Sequence, residues 1–399
     1  MISVADVTTI KVKKQTAEKM KKGFPLIEKA AVLTNIEMEE GSILSVTDEA
    51  GVFIGKGYYG KQNKGIGWIL TNNQSESIDR LFFVNRLQAA INRRRSFYQD
   101  AETTTFRVFN GEGDGVGGLT IDYYDGYYVC TWYSEGIYHF RRDIYEALKE
   151  VVSFKGVYEK KRFAGKGQYV EDDDFVMGER GEFPLLVKEN GMNVAIYLND
   201  GPMVGVFLDQ RDVRKKIRDT YAKGKNVLNT FSYTGAFSVA AALGGAKHTT
   251  SVDLAKRSLA KTIEQFSVNS IDYEAQDIIV MDVFQYFKFA KKKEKSFDVV
   301  ILDPPSFARS KKHTFSAAKD YTGLLQEAIA ITRKNGVIVA STNCSTFSME
   351  KFHGFIKDAF KKEKSSYEIV EEYSLPDDFR TSKSYREGDY LKVVFVKVK

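Results

Sequence analysis

The stretch Asn-Val-Leu-Asn-Thr-Phe-Ser-Tyr-Thr-Gly-Ala-Phe, residues 226–237, decides the fold. A strand is predicted over 226–229, a polar turn containing Gly235 follows, and a helix is predicted over 236–243. A strand, a short turn and a helix in direct succession are typical of one unit of a parallel α/β sheet. The turn after such a strand lies where open α/β sheets bind their ligands.

The same alternation of strand and helix continues towards the C-terminus. Strands are predicted over 248–252, 278–281, 297–302 and 336–341, with helix-length segments between them. Because such apolar strands are covered by helices on both faces, the pattern predicts an α/β domain with a doubly wound, mainly parallel sheet. Two further strands, 367–372 and 390–398, are expected to form an antiparallel pair at the edge of this sheet.

The pattern differs upstream of this sheet. Short strands broken by glycine turns predict a small β-rich domain over 1–73. Helical spacing begins at Ser77, and alternating strands and a helix over 137–152 follow, which predicts an α+β domain over 74–185. The α/β domain then occupies 186–399.

Residues 113–118, Gly-Asp-Gly-Val-Gly-Gly, match the Gly-x-Gly-x-x-Gly pattern of dinucleotide-binding loops. Such a loop must follow a strand and open a helix whose amides hold the pyrophosphate. The residues after Gly118 have a strand pattern instead. A β-turn or bulge is therefore favoured over a phosphate site.

The composition is that of a folded protein, with 43% apolar and 28% charged residues among 399. The formal net charge of +6 allows a polyanionic partner without requiring one. We find neither a signal-peptide pattern nor an apolar run near the roughly 18 residues of a membrane span, so a cytoplasmic protein without a membrane partner is expected. The two cysteines, Cys130 and Cys344, form no zinc or disulfide pattern.

Three basic groups are candidates for contacts with nucleic-acid phosphates. They are the seven lysines from Lys11 to Lys29, the run Lys160, Lys161 and Arg162, and the residues Arg309, Lys311 and Lys312. Each is also consistent with ordinary solvated charge.

Acidic residues end the second and third strands of the α/β domain. Asp253 lies about twenty residues beyond the first turn, the spacing at which a carboxylate accepts hydrogen bonds from a ribose diol. Asp282 is placed to accept from an adenine amine. Helix capping is the alternative for both residues, and also for Ser232 and Thr234 in the first turn.

The first turn has a single glycine, Gly235, which would let the backbone approach a ligand closely. A dinucleotide would need the three-glycine turn to hold its pyrophosphate. The turn therefore favours a nucleoside without pyrophosphate, and S-adenosylmethionine is the economical candidate. No metal site is predicted.

The fourth and fifth strands end in residues that could take part in catalysis. Asp303 precedes Pro304 and Pro305, which make a rigid loop and present the carboxylate at the ligand edge. Cys344 follows the fifth strand and is expected beside Asp303. A thiolate there can add to C6 of a pyrimidine and activate C5 for methylation. The alternative for Cys344 is a small buried apolar residue, which is the favoured interpretation for Cys130.

Several motifs resemble the PUA-containing ribosomal RNA large-subunit 5-methylcytosine methyltransferases. The resemblance covers nearly the whole chain. The motifs that carry it are Phe207-Leu-Asp-Gln-Arg211, Phe231-Ser-Tyr-Thr-Gly-Ala-Phe237, Asp303-Pro-Pro-Ser-Phe307, Cys344-Ser345, Gly111-Glu-Gly-Asp-Gly-Val-Gly-Gly-Leu119 with Asp122, and the PUA-like segments 23–27 and 48–57.

The resemblance implies a class I (Rossmann-like) methyltransferase domain preceded by a PUA-like domain that binds RNA. It implies that Phe231, Tyr233, Thr234 and Gly235 line the S-adenosylmethionine pocket, with Asp253 on the ribose and Asp282 on the adenine. It also implies that Cys344 is the nucleophile and that Asp303 holds or protonates the base. Gln210 and Arg211 would border the cofactor or the substrate.

Ribosomal RNA is the partner implied by the resemblance, and the oligomeric state is open, a homodimer being one option. Three alternatives remain beside cytosine C5 methylation. One is methylation of a base nitrogen, which needs no covalent step. Another is a noncatalytic RNA-binding or ribosome-assembly factor. The last, a dinucleotide dehydrogenase, is disfavoured by the first turn.

Overall fold

The computed structural model describes residues 7–34, 37–62, 64–163, 173–309 and 314–399. The chain forms two compact units. The first comprises Met1–Val187, Ile196–Val204 and Asp377–Gly388, and the second comprises Lys188–Ala195, Gly205–Pro376 and Asp389–Lys399. The domain boundaries expected at residues 73 and 185 stay predictions. No helix within the described ranges is long and apolar enough to cross a membrane.

The first unit begins with a five-stranded sheet, which confirms the β-rich character expected there. Its strands are β1 Thr8–Lys11, β2 Leu26–Glu28, β3 Ile43–Thr47, β4 Phe53–Gln62 and β5 Gly65–Thr71, in the order β1-β3-β4-β5-β2. Helix α1, Lys14–Lys21, buries Ala17 and Met20 in the same apolar cluster as Leu44 and Val46. The seven lysines from Lys11 to Lys29 are exposed.

A second sheet and four helices complete the α+β part of this unit. The strands are β6 Thr105–Asn110, β7 Leu119–Tyr124, β8 Tyr127–Trp132, β9 Gly156–Lys161 and β10 Phe175–Gly178, in the order β10-β9-β8-β7-β6. The helices are α2 Arg80–Arg93, α3 Arg95–Tyr98, α4 Glu135–Tyr138 and α5 Arg141–Val151. The single helix expected over 137–152 was wrong, because the chain turns at Phe140, whose ring packs on Tyr58 and Phe83.

The glycine-rich segment 113–118 leads into a strand, as the sequence predicted. A short 3-10 turn covers Gly111–Gly113, and β7 begins at Leu119. A Cβ added at Gly117 would lie 2.2 Å from Cδ2 of Trp68. Glycine is needed here for close packing against an indole ring.

A distant C-terminal segment, Asp377–Gly388, packs into the first unit. Arg94 is only 2% exposed, and its guanidinium binds Asp114 (2.7 Å) and donates to the carbonyl of Asp378 (2.6 Å). Asn110 donates to the carbonyl of Arg380 at 2.8 Å. Sequence reasoning did not foresee this return of the chain.

The second unit holds a seven-stranded sheet. There are also two two-stranded sheets, β11 Leu185–Glu189 with β12 Met192–Ile196, of which Lys188–Ala195 belong to this unit, and β17 Phe307–Arg309 with β18 Thr314–Ser316. The seven strands are β13 Asn226–Thr230, β14 His248–Asp253, β15 Asp277–Val280, β16 Phe297–Leu302, β19 Thr332–Thr342, β20 Tyr367–Tyr373 and β21 Lys392–Val398. They follow the order β15-β14-β13-β16-β19-β21-β20.

Five of these strands are parallel, which confirms the predicted doubly wound sheet. The last two, β20 and β21, form the predicted antiparallel pair at one edge. The helices are α6 Arg211–Lys216, which continues as a π-helical turn over Ile217–Tyr221, α7 Ala236–Leu243, α8 Arg257–Ser267, α9 Val283–Lys292, α10 Ala317–Ile329 and α11 Met349–Lys362.

The two strands that follow β13 in the chain, β14 and β15, lie on one side of it in the sheet, whereas β16 and β19 lie on the other side. Thr230 at the end of β13 pairs with Val252 of β14 on one side and Leu302 of β16 on the other. The chain leaves β13 and β16 towards opposite sides of the sheet, so a crevice opens beyond their carboxyl ends.

Candidate active site

A cavity of about 360 Å³ lies beyond the carboxyl ends of the five parallel strands. Residues from the ends of all five strands contribute to its wall, together with the segment that precedes α6. The described lining is Val206, Phe207, Asp209, Gln210, Arg214, Phe231, Ser232, Tyr233, Thr234, Ala236, Phe237, Asp253, Leu254, Asp282, Val283, Phe284, Asp303, Pro304, Pro305, Ala308, Phe315 and Asn343.

The first turn has an unusual backbone. Phe231, Tyr233 and Gly235 have φ angles of 54°, 51° and 80°, in the left-handed region. Residues other than glycine rarely adopt this backbone conformation, and each one that does costs on the order of 1–3 kcal/mol. The alternation turns the side chains of Phe231 and Tyr233 into the cavity lining.

Gly235 has a role different from the one that the sequence suggested. It does not line the cavity within the described wall. A Cβ on Gly235 would lie 2.5 Å from Cγ2 of Thr262 in α8. Glycine is therefore required by the positive φ and by helix packing, whereas close approach to a ligand stays a prediction.

The hydroxyl of Thr234 does not cap α7. It donates to the carbonyl of Gly205 at 2.7 Å, and so ties the first turn to the segment before α6. The backbone N–H of Ser232 donates to the carbonyl of Val252 at 3.1 Å. The N-cap residue of α7 is Gly235, which has no side chain, so the capping alternative was wrong for Thr234 and stays a prediction for Ser232.

Asp253 and Asp282 both line the cavity, and both are oriented by backbone amides. Asp253 accepts from the N–H of Tyr233 (2.9 Å) and from that of Ala255 (2.8 Å). Asp282 caps α9, because its Oδ1 accepts from Phe284 N–H and Gln285 N–H. Capping and ligand contact are thus compatible, since one carboxylate has lone pairs for both.

Asp303 lies at the centre of a polar group in the cavity wall. Gln210 donates through Nε2 to Asp303 Oδ1 (3.0 Å) and to Ser341 Oγ (2.7 Å). Burial raises the pKa of Asp303 to about 6, and the negative charge of Asp209 adds to the rise. Asp303 is half-buried, so the expectation of a fully presented carboxylate was only partly right.

Arg214, which the sequence reasoning missed, lines the cavity in place of Arg211. Its guanidinium makes two hydrogen bonds to Glu189, at 2.6 and 2.7 Å, and one to the carbonyl of Phe207. Arg211 is buried and lies 3.7 Å from Asp212. The signal for Arg214 was available, since it lies four residues after Gln210, the spacing of one helix face.

The charge of the cavity wall is mainly negative. Four carboxylates contribute to it, and the one basic residue of the described lining, Arg214, is neutralised by Glu189. Apolar surface is supplied by Leu254 and Phe207, which are 54% and 41% exposed. These walls suit a nucleoside that carries positive charge and lacks phosphates, in agreement with the prediction of S-adenosylmethionine.

Cys344 is placed just beyond the cavity wall. The described lining reaches its neighbour Asn343, whereas Cys344 is 7% exposed and belongs to an apolar cluster. Its Sγ lies 3.1 Å from Oγ1 of Thr346. Asn343 Oδ1 accepts from Ser306 Oγ at 2.6 Å, which joins the loop after Asp303 to the loop that carries Cys344.

The other chemical candidates lie elsewhere. Cys130 is fully buried in a core, as predicted. Lys160 and Lys161 are not phosphate contacts on a surface, because they are 2% and 8% exposed, and Lys160 pairs with buried Asp174. Both interpretations, phosphate contact and solvated surface charge, were wrong for Lys160 and Lys161, since every residue of β9 is buried. Lys311 and Lys312 lie outside the described residues, as does the side chain of Arg309.

Comparisons with known proteins agree with this geometry. The family described as S-adenosylmethionine-dependent methyltransferase matches residues 107–387, and a PUA-like domain matches residues 10–72. The chain is 61% identical over 390 residues to a Bacillus subtilis (strain 168) protein provisionally named ribosomal RNA large subunit methyltransferase YwbD, covering 97% of this chain and 98% of the other. It is 29% identical over 354 residues to ribosomal RNA large subunit methyltransferase I of Yersinia pseudotuberculosis (strain IP 31758), covering 88% and 89%.

A solved structure supports the cofactor as well as the fold. SMU.776, provisionally assigned as a methyltransferase and crystallised with SAH, superposes with a TM-score of 0.92 at 38% identity. The superposition covers 98% of this chain and all of that one. The chain therefore belongs to the PUA-containing family of S-adenosylmethionine-dependent methyltransferases, with a class I α/β fold.

Proposed function

We propose that the protein methylates C5 of a cytosine in large-subunit ribosomal RNA, with Cys344 as a covalent nucleophile. The RNA class is supported by the names of both relatives and by the PUA-like domain. The chemistry rests mainly on one observation, the 2.6 Å hydrogen bond between Ser306 and Asn343. It holds the Asp303 loop and the Cys344 loop together at the mouth of one cavity.

S-adenosylmethionine, when bound, supplies the methyl group as an electrophile on its sulfonium. We assign its ribose to Asp253, its adenine to Asp282, and further contacts to Phe231, Tyr233, Thr234 and Gly235. Gln210 borders this site, whereas the contact of Arg211 stays an expectation from the resemblance, because the described cavity wall holds Arg214 instead. Asp253 is suited to a diol, because its two oxygens are already held in place by the amides of Tyr233 and Ala255.

The proposed reaction begins when the Cys344 thiolate forms a bond to C6 of the cytosine. The electron pair of the C5–C6 double bond becomes available at C5, which takes the methyl group. A base then removes the C5 proton, the Cys344–C6 bond breaks, and the thiolate leaves. Burial raises the pKa of Asp303 to about 6, so it holds a proton more readily than an ordinary aspartate. This suits a group that donates a proton to the cytosine ring during addition and takes it back when the thiolate leaves.

A second candidate is methylation of a base nitrogen at the same cavity. It is favoured by the low exposure of Cys344 and by its position outside the described lining. That reaction needs Asp303 and its rigid Pro304-Pro305 loop, but it does not need a thiol.

Incubation with labelled S-adenosylmethionine and unmodified large-subunit RNA, followed by digestion to nucleosides, separates the two candidates. We expect label in 5-methylcytidine, which disappears in Cys344→Ala and persists in the matched control Cys130→Ala. Label in another nucleoside that persists in Cys344→Ala would establish the second candidate. Cofactor binding without label on RNA would contradict both.

A further inference from the structure

Lys392 is a buried lysine that has no part in the cofactor site or in the proposed reaction. It is the first residue of β21 and pairs in register with Thr342 of β19. It is 5% exposed, and its Nζ donates to the carbonyl of Cys344 (3.1 Å) and to that of Tyr390 (2.9 Å). Its ammonium is therefore held against the backbone of the cysteine.

A buried ammonium is costly unless an opposite charge accompanies it. In the described parts of the chain, the contacts of Nζ are with the carbonyls of Cys344 and Tyr390 and with the ring of Phe347, whose centre is 5.5 Å away, and no ion pair with a carboxylate is among them. Two groups act electrostatically on it, the thiol of Cys344 when ionised and the exposed carboxylate of Asp389. Solvent screens the second interaction, because Asp389 lies on the surface.

Burial lowers the pKa of Lys392, whereas the negative charges of Cys344 and Asp389 favour its protonated form. The thiol lies within the same residue whose carbonyl is 3.1 Å from Nζ. Of the two anions, the Cys344 thiolate belongs to the residue that Nζ contacts, whereas Asp389 is exposed to solvent.

We infer that Lys392 is a positioning residue that stabilises the Cys344 thiolate by its charge and fixes the loop 343–347 through the Cys344 carbonyl. The inference rests on the proposed function, since it assigns a task to the nucleophile of that reaction. Lys392 is not among the described residues that line the cavity. Its effect passes through Cys344.

The test measures alkylation of Cys344 by iodoacetamide as a function of pH, with mass spectrometry of the Cys344 peptide, in the full chain. Lys392→Gln removes the charge but keeps N–H donors for the two carbonyls, and Lys392→Arg keeps the charge. Lys397→Gln, the same change in the same strand, is the matched control. Cys130 is fully buried and serves as an internal unreactive thiol.

We expect the pH midpoint of alkylation to rise by about one unit or more in Lys392→Gln, because an opposite charge nearby favours the ionised form. Alkylation at neutral pH then slows by about tenfold. Lys392→Arg and Lys397→Gln are expected to keep the wild-type midpoint. An unchanged midpoint in folded Lys392→Gln would overturn the inference, as would a Cys344 that is never alkylated in the native protein.

A reciprocal measurement covers the case in which Lys392→Gln does not fold. If the two charges interact, Cys344→Ala must make Lys392 lose its proton at lower pH, and NMR titration of the Lys392 amine detects this change. Identical titration in wild type and Cys344→Ala would contradict the inference. Both readouts are independent of methyl transfer, so a coupled pair without 5-methylcytidine formation would refute only the proposed function.

Discussion

The ion pair in the core of the first unit and the charged groups around the candidate site of the second unit are compensated in different ways. In the first unit, Arg94 and Asp114 form an ion pair of 2.7 Å in which both side chains are at most 2% exposed. In the second unit, Asp303 and Lys392 are bonded mainly to neutral groups, an amide, a hydroxyl and backbone carbonyls. A charge that is kept without a close counter-charge is costly, and such charges concentrate at functional sites. The second unit also contains a buried ion pair, Arg214 with Glu189 at 2.6 Å, so the contrast is confined to Asp303 and Lys392. It indicates a structural role for the ion pairs and a chemical role for these two groups.

The largest effect is expected from breaking the pair in the first unit. Arg94→Met removes the buried partner of Asp114, leaves only the partly exposed Arg93 to compensate that carboxylate, and frees the carbonyl of Asp378, so it should lower the free energy of unfolding by about 3 kcal/mol. Urea unfolding measures this change. The matched control is Arg93→Met, since Arg93 reaches the same carboxylate at 3.3 Å but is 45% exposed. It should cost less than about 1 kcal/mol, and equal losses in both variants would contradict the account.

Asp303→Asn should instead raise the free energy of unfolding at neutral pH. The pKa of Asp303 is raised to about 6 by burial, so folding disfavours its ionised form and stability falls as pH rises from about 4 to about 6. At neutral pH the variant should therefore be more stable than wild type by up to about 3 kcal/mol, and the gain should vanish near pH 4. Methyl transfer should be lost. A destabilised variant at neutral pH would show that the carboxylate is structurally required.

Gly235→Ala should destabilise the second unit by a smaller amount, on the order of 1–2 kcal/mol from the left-handed backbone with a further loss from the contact with Thr262. Gly224→Ala is the matched control, because its φ is 71° and no atom lies within 4 Å of the added Cβ. Thermal unfolding compares them. Thr262→Ser removes the contacting methyl group and should recover part of the loss at Gly235. Equal losses at the two glycines would exclude the packing explanation.

Ser306→Ala should change stability least, by about 1 kcal/mol, because it removes one partly exposed hydrogen bond to Asn343. We expect kcat for methyl transfer to fall, since the Asp303 and Cys344 loops are then no longer joined, while S-adenosylmethionine affinity stays unchanged. Calorimetry and initial rates separate the two. A change confined to cofactor affinity would place Ser306 in the cofactor site instead.

The parallel sheet and most of its ligand edge were predictable, because apolar strands, helix-length connections and acidic strand ends follow local rules. Asp253, Asp282 and Asp303 were found in this way. Contacts between distant residues were not predictable, such as Arg94 with Asp378 or Lys392 with Cys344. The burial of Lys160 and Lys161 was missed for a related reason, since a basic run looks the same whether it is exposed or paired inside a covered strand.

The covalent role of Cys344 is the central claim, and trapping tests it most directly. An RNA substrate with 5-fluorocytidine at the target position carries no C5 proton to be removed, so the Cys344–C6 bond cannot break after methyl transfer. We predict a stable protein–RNA complex on a denaturing gel that depends on S-adenosylmethionine, maps to Cys344 by mass spectrometry, and is absent in Cys344→Ala but present in Cys130→Ala. Methylation of the natural RNA without any trapped complex would contradict the account.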